Sequence, residues 1–149
     1  MNAPVGHTQL SGIEQLKAAL FGDKPFDGIA KTLGFHPVTI EEGFVVFEST
    51  PTTAVYNPLG TVHGGYSATL LDSAMGCAVH TRLKAGEGYT TLELKVAYHR
   101  AMNDTSGPLR TEGRVISLGR RAAFAEGKLF DAAGRLCATA TTTCLVFSL

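Results

Sequence analysis

Between His63 and Thr81 the chain runs through nineteen positions with one formally charged side chain, Asp72. Before it stand Gly-Gly-Tyr-Ser-Ala-Thr-Leu-Leu and after it Ser-Ala-Met-Gly-Cys-Ala-Val, a pattern apolar on nearly every face of a helix. A helix that is hydrophobic all round has to be enclosed by the rest of the fold. The remaining material alternates with strand period, so the enclosing layer is expected to be a curved antiparallel sheet and the class α+β. A carboxylate inside such a helix is costly unless something offsets its burial or raises its pKa, which marks Asp72 as a candidate for chemistry.

The strand material is read from alternation and turns. Phe35 to Ile40 and Phe44 to Glu48 flank Glu41-Glu42-Gly43 as a hairpin. From Tyr89 onward Thr91, Glu93 and Lys95 alternate with Leu92, Leu94 and Val96, and Leu109–Leu118, Ala122–Phe130 and Leu136–Phe147 supply three further strands. The turns Ser117-Leu118-Gly119-Arg120 and Asp131-Ala132-Ala133-Gly134 are short enough for antiparallel hairpins. Ahead of these, Ser11 and Glu14 form a capping-box pattern, and Ile13, Leu16 and Leu20 share one stripe, predicting a helix from Gly12 to Phe21. A further helical turn within Pro25 to Leu33 would end at Gly34, so one domain spanning 1–149 is expected, with a helical flap over about 11–34 as its N-terminal part.

Thirteen Lys and Arg balance thirteen Asp and Glu, so no net field draws nucleic acid or an anionic membrane. No stretch reaches the roughly 18 apolar residues of a membrane span, and Met-Asn-Ala-Pro-Val-Gly-His does not read as a signal peptide, so a cytoplasmic location is expected. Cys77, Cys137 and Cys144 have no metal-ligand spacing and an odd count. Cys137 and Cys144 fall on one expected strand, about 23 Å apart at strand rise and on opposite faces, so they are not expected to bridge.

Asn57-Pro-Leu-Gly-Thr-Val-His63-Gly64-Gly65, with Asp72 nine positions after the histidine, resembles a known family. It is similar to the PaaI-like, phenylacetate-degradation branch of the 4-hydroxybenzoyl-CoA thioesterase superfamily, over roughly Phe35 to Phe147. The resemblance implies a hotdog fold, an acyl-CoA substrate, no cofactor beyond the coenzyme A it carries, and at least a homodimer, assembled into a homotetramer. Spacing alone agrees with subunit sharing: Gly64 and Asp72 lie about 12 Å apart along one helix axis, so one chain cannot bring both to one carbonyl.

Residue chemistry assigns the roles. The free N–H of Gly64 at the helix start can hold an oxyanion, and the resemblance implies that Asn57 adds a donor. Asp72 from the second chain would activate water or attack directly. The resemblance places a hydroxyl at Thr91, with Thr90 one register step away; for His63, between a structural bond to the loop backbone and assistance to the departing thiolate, an orienting role is expected. Gly65 belongs to the binding surface, and Arg100, Arg120 and Arg121 are candidates for the CoA phosphates. A hydratase of this fold would place a histidine five residues after the acid, where Cys77 stands. A noncatalytic acyl-CoA-binding regulatory module is the alternative of a different class.

Overall fold

The structure, a computed structural model, describes residues 9–22 and 28–149. Its elements are α1 (Gly12–Phe21), α2 (Ile29–Leu33), β1 (Phe35–Glu41), β2 (Phe44–Ser49), α3 (Gly64–His80), β3 (Glu87–Tyr98), β4 (Leu109–Leu118), β5 (Ala122–Phe130) and β6 (Leu136–Ser148). A short 3-10 turn at Thr53–Val55 precedes α3. The six strands form one antiparallel sheet in the order β1-β2-β4-β5-β6-β3. It wraps α3 in the hotdog arrangement expected from the sequence. The Met1–His7 segment, which does not read as a signal peptide, and Pro25 to Asp27, where the further helical turn was expected to start, lie outside the described residues.

Helix α3 is seated on β4, β5 and β2. Leu70, Leu71, Ala74, Met75, Ala78 and Val79 are fully buried there; the larger aliphatic side chains each contribute about 1.5–3 kcal/mol by leaving water. The helix approaches the sheet most closely at Gly113, where a Cβ would run into the Ala74 carbonyl and stand 2.5 Å from the Met75 nitrogen. Backbone cannot yield as a side-chain tip can. Gly113→Ala is therefore expected to cost about 3 kcal/mol through overpacking. Thermal melting of the variant should show a Tm about 6–12 °C lower for a chain of this size.

Two bulges change what simple alternation predicts. Between the pairs Thr91↔Cys144 and Glu93↔Thr143 the register of β3 slips by one, and Leu92 is left 60 % exposed. Thr91 consequently shares the inner face with Leu94 and Val96, whereas unbroken alternation would have set it outside with Glu93 and Lys95. A second irregularity separates Leu129↔Ala138 from Phe130↔Leu136 and leaves Cys137 unpaired on β6. Cys137 is thus buried in the core together with Cys144, not on the opposite face; both thiols are free.

The N-terminal helix is tied to the far end of α3. The Gly12 N–H donates to the Leu83 carbonyl at 2.9 Å, and Leu16 is buried. Glu14 accepts from both the Ser11 N–H (2.8 Å) and the Ser11 hydroxyl (2.6 Å), which holds its carboxyl below the usual range. Among the described residues no helix is long and apolar enough to cross a membrane.

Candidate active site

The segment before α3 is a closed turn built by Asn57. Its Oδ1 accepts from the N–H groups of Leu59 (2.9 Å) and Thr61 (3.2 Å), while its Nδ2 donates to Thr61 Oγ1 (3.0 Å). Gly60, at φ +82°, permits the reversal. Asn57 therefore spends its carbonyl and one of two amide hydrogens on its own loop, and one N–H remains. His63 caps the helix: Nδ1 accepts from the Gly65 N–H at 2.8 Å. That bond places the ring proton on Nε2. The expected orienting histidine is thus an exposed helix cap, and the second N–H of α3 is satisfied.

The Gly64 N–H, first in the helix, has no acceptor among the described residues. Its own carbonyl receives a bond from the Tyr98 hydroxyl at 2.8 Å, and a Cβ on Gly64 would meet that ring at 3.1 Å. Tyr98 closes β3 on the inner-face series Leu94, Val96, Tyr98. Sequence reading passed over it, although that alternation pointed it at the helix.

Asp72 lies midway along α3, half-buried rather than sealed. Its Oδ1 accepts from the Thr91 hydroxyl at 3.0 Å. The choice between Thr90 and Thr91 is thereby made: the bulge at Leu92 turns Thr91 to the acid. Asp72 and Thr91 open on a pocket of about 240 Å³ with walls that include Leu20, Ile29, Phe35, Tyr89 and Cys77. Met75 does not line it and is sealed in the core against Gly127. Leu20 of α1 and Ile29 of α2 do line it, so the N-terminal helices contribute a wall.

Electrostatics in the pocket exclude Cys77 and Tyr89 as nucleophiles. Burial, seconded by the negative charge of Asp72, pushes the Cys77 thiol up to about 12, so it remains a neutral thiol at physiological pH. Tyr89 is raised well above its ordinary range, first by burial and then by Cys77, Cys144 and Asp72. Its hydroxyl lies where a Cβ on Gly76 would stand, at 2.9 Å. Tyr89 is a second tyrosine that the sequence did not single out.

His63 and Gly65 line a different cleft, of about 350 Å³, with Val55, Tyr66 and Thr69. One chain thus holds two separate halves, the acid with Thr91 in one and the helix start in the other. Arg120 and Arg121 come together in a third cleft, whereas Arg100 lies beyond the opposite end of β3.

Comparison with known proteins identifies the family and the fold. Residues 59–138 match the family described as the thioesterase superfamily. The proofreading thioesterase EntH of Klebsiella pneumoniae is 31 % identical over 107 residues, covering 72 % of this chain and 77 % of that protein. The crystal structure of a phenylacetic acid degradation-related protein from Ralstonia eutropha JMP134 superposes with a TM-score of 0.78 at 31 % identity, over 87 % of this chain and 97 % of that one. The PaaI protein from the phenylacetic acid degradation operon of E. coli shares the fold, with a TM-score of 0.78 at 19 % identity over 92 % and 94 % of the two chains. With the family matched over more than half its length and a thioesterase relative aligned over most of both chains, this protein belongs to the thioesterase superfamily and is a thioester hydrolase.

Proposed function

We propose that the protein hydrolyses acyl-CoA thioesters with an aryl or short- to medium-chain acyl group, using sites shared between two copies of the chain. The observation that carries this reading is the Thr91–Asp72 bond of 3.0 Å at the mouth of an apolar pocket. Thr91 fixes one carboxylate oxygen and leaves the other directed to chemistry. Asp72 then draws a proton from water or attacks the carbonyl itself. The developing oxyanion is held by the Gly64 N–H at the positive end of α3 and by the remaining amide hydrogen of Asn57. Neither route needs a cofactor beyond the CoA of the substrate.

Two hydrogen bonds support the subunit sharing. Within each chain, Thr91 ties Asp72 to one part of β3, and Tyr98 ties Gly64 to the end of the same strand. Among the described residues β3 is an edge strand, paired only with β6, and its outer edge presents unpaired backbone groups. Antiparallel pairing of β3 with its copy, centred between Leu94 and Lys95, would set Thr91 beside the partner's Tyr98. The partner's Gly64 then comes to this chain's Asp72, and a two-fold axis generates two equivalent sites. A homotetramer of such dimers in the cytoplasm is the assembly we assign.

A pocket of about 240 Å³ is larger than the roughly 150 Å³ cavity that accommodates benzene. It therefore suits an acyl group of one ring, and the Ralstonia relative's connection with phenylacetic acid degradation favours arylacetyl thioesters. Thiol release from a panel of phenylacetyl-, hydroxybenzoyl- and straight-chain acyl-CoAs, with sedimentation to read the assembly, tests the proposal. Turnover fastest on single-ring acyl groups by a dimer or larger species is expected. Tight binding without turnover would favour a regulatory acyl-CoA sensor, and an active monomer would overturn the shared site.

A further inference from the structure

Tyr89 lines the pocket beside Asp72, Gly76 and Thr91, and its hydroxyl has no hydrogen-bond partner among the described residues. A buried tyrosine ordinarily finds a partner for its O–H. Ser49, Tyr66 and Thr111 also carry unpartnered hydroxyls, but those oxygens are sealed from solvent and none of the three residues borders this pocket. The Tyr89 ring is fixed in place: it meets His80 edge-on, with centroids 5.6 Å apart, and its backbone pairs with Val146. Gly76 makes the room, since a Cβ there would stand 2.9 Å from the phenol oxygen.

Helix and strand run in step here. Asp72 and Gly76 are four residues apart on α3, a rise of about 6 Å, and Thr91 and Tyr89 are two apart on β3, a rise of about 6.6 Å. Thr91 meets Asp72 through its hydroxyl at 3.0 Å and Tyr89 meets Gly76, so the phenol lies about one helical turn beyond the carboxylate on the same face of α3. Thr91 holds one Asp72 oxygen, and the other shares the pocket with the phenol. Burial first, and then Cys77, Cys144 and Asp72, raise the Tyr89 phenol well above its ordinary range. It therefore keeps its proton and acts as a donor.

We propose that the Tyr89 hydroxyl and the free oxygen of Asp72 hold between them the water that attacks the thioester. This deepens the acyl-CoA reading above, rests on it, and takes the water route of the two given there. The water donates one hydrogen to Asp72 and accepts one from the phenol, which leaves a lone pair for the acyl carbon. As the water oxygen bonds to that carbon, its proton passes to Asp72 and the carbonyl electron pair moves onto the oxygen held by the partner's Gly64. Collapse breaks the carbon–sulfur bond, and the departing thiolate takes the proton from Asp72. The phenol's own proton stays on Tyr89 throughout.

The test is steady-state thiol release from acyl-CoAs by the parent, Tyr89→Phe, Gly76→Ala/Tyr89→Phe and Gly76→Ser/Tyr89→Phe, each shown to be folded by its Tm. Tyr89→Phe removes the hydroxyl and keeps the ring, so kcat is expected to fall about tenfold with KM little changed, the effect of one lost hydrogen bond. With the phenol oxygen gone, the nearest atom to a Cβ on residue 76 is the ring carbon Cε2 at 3.2 Å. A serine there fits with a small shift of the ring and returns a hydroxyl to the vacated place. The serine variant should therefore recover to within about threefold of the parental kcat, while the alanine variant, which fills the same space without a hydroxyl, should stay low. Parental kcat in Tyr89→Phe, or equal rates in the serine and alanine variants, would overturn the role of the phenol alone. So would a loss confined to KM and to acyl groups bearing a ring hydroxyl, which would make Tyr89 a substrate contact. A parent that releases no thiol from any acyl-CoA would overturn the acyl-CoA reading itself, and the role of the phenol with it.

Discussion

Asp72→Asn is expected to lower kcat by about a thousandfold, the range that removal of a general base or nucleophile produces. Asparagine keeps the volume of the side chain and still accepts the Thr91 hydroxyl bond through its amide oxygen, so the fold and pocket should persist. What is lost is the ability to take a proton from water or to form a bond to the acyl carbon. KM for a good substrate should change little, because the apolar walls from Leu20, Ile29 and Phe35 are untouched. The measurement is steady-state thiol release, with circular dichroism and Tm confirming that the variant is folded. Rates within tenfold of the parent would mean that the carboxylate merely braces β3 through Thr91. Single turnover in labelled water separates the two chemical routes in the parent: label entering the Asp72 carboxyl requires a mixed anhydride.

Much of this arrangement was legible in the chain before its structure, for physical reasons that differ from element to element. Helix α3 announced itself because apolar residues on all faces leave only one solution, enclosure. The strands β4 and β5 were bounded by turns whose Gly and Asp residues fix the chain reversal. The bulge at Leu92 was not legible, because the period of two reads straight through it and an apolar Leu92 looks like an inner-face residue. Yet that bulge is what turns Thr91 to Asp72. Asn57 and His63 were marked by their pattern, but the bonds that close their own loop and cap depend on local geometry that spacing does not give.

The tyrosines of β3 left a signal that went unread. A glycine inside a helix costs about 1 kcal/mol relative to alanine, so Gly76 in α3 called for a close neighbour. Both Gly64 and Gly76 abut β3 tyrosines, Tyr98 and Tyr89 respectively. Strand β3 is therefore more than the wall of the site. It holds the helix start at one end and the acid nearer the other, and its free edge is where a second chain can join them.

Complementation between two inactive proteins should reveal that sharing. Gly64→Pro removes the first N–H of α3 at a position where proline is favoured, and His63, at φ −64° and ψ 136°, already has the extended backbone required of a residue before proline. The added ring atoms press on the half-exposed tip of Tyr98, which can shift by a few tenths of an ångström. Loss of one oxyanion donor should lower kcat by about a hundredfold or more. Asp72→Asn and Gly64→Pro chains unfolded together and refolded as a mixture should nevertheless recover about a quarter of parental activity, since random pairing makes half the dimers mixed and each mixed dimer contains one intact site of two. Purified heterodimers carrying two different tags should reach about half the parental rate by the same count. A refolded mixture no more active than its components would place Gly64 and Asp72 on separate tasks within one chain. Recovery would locate the thioester between the two copies, with the helix start of one chain and the carboxylate of the other on either side of its carbonyl.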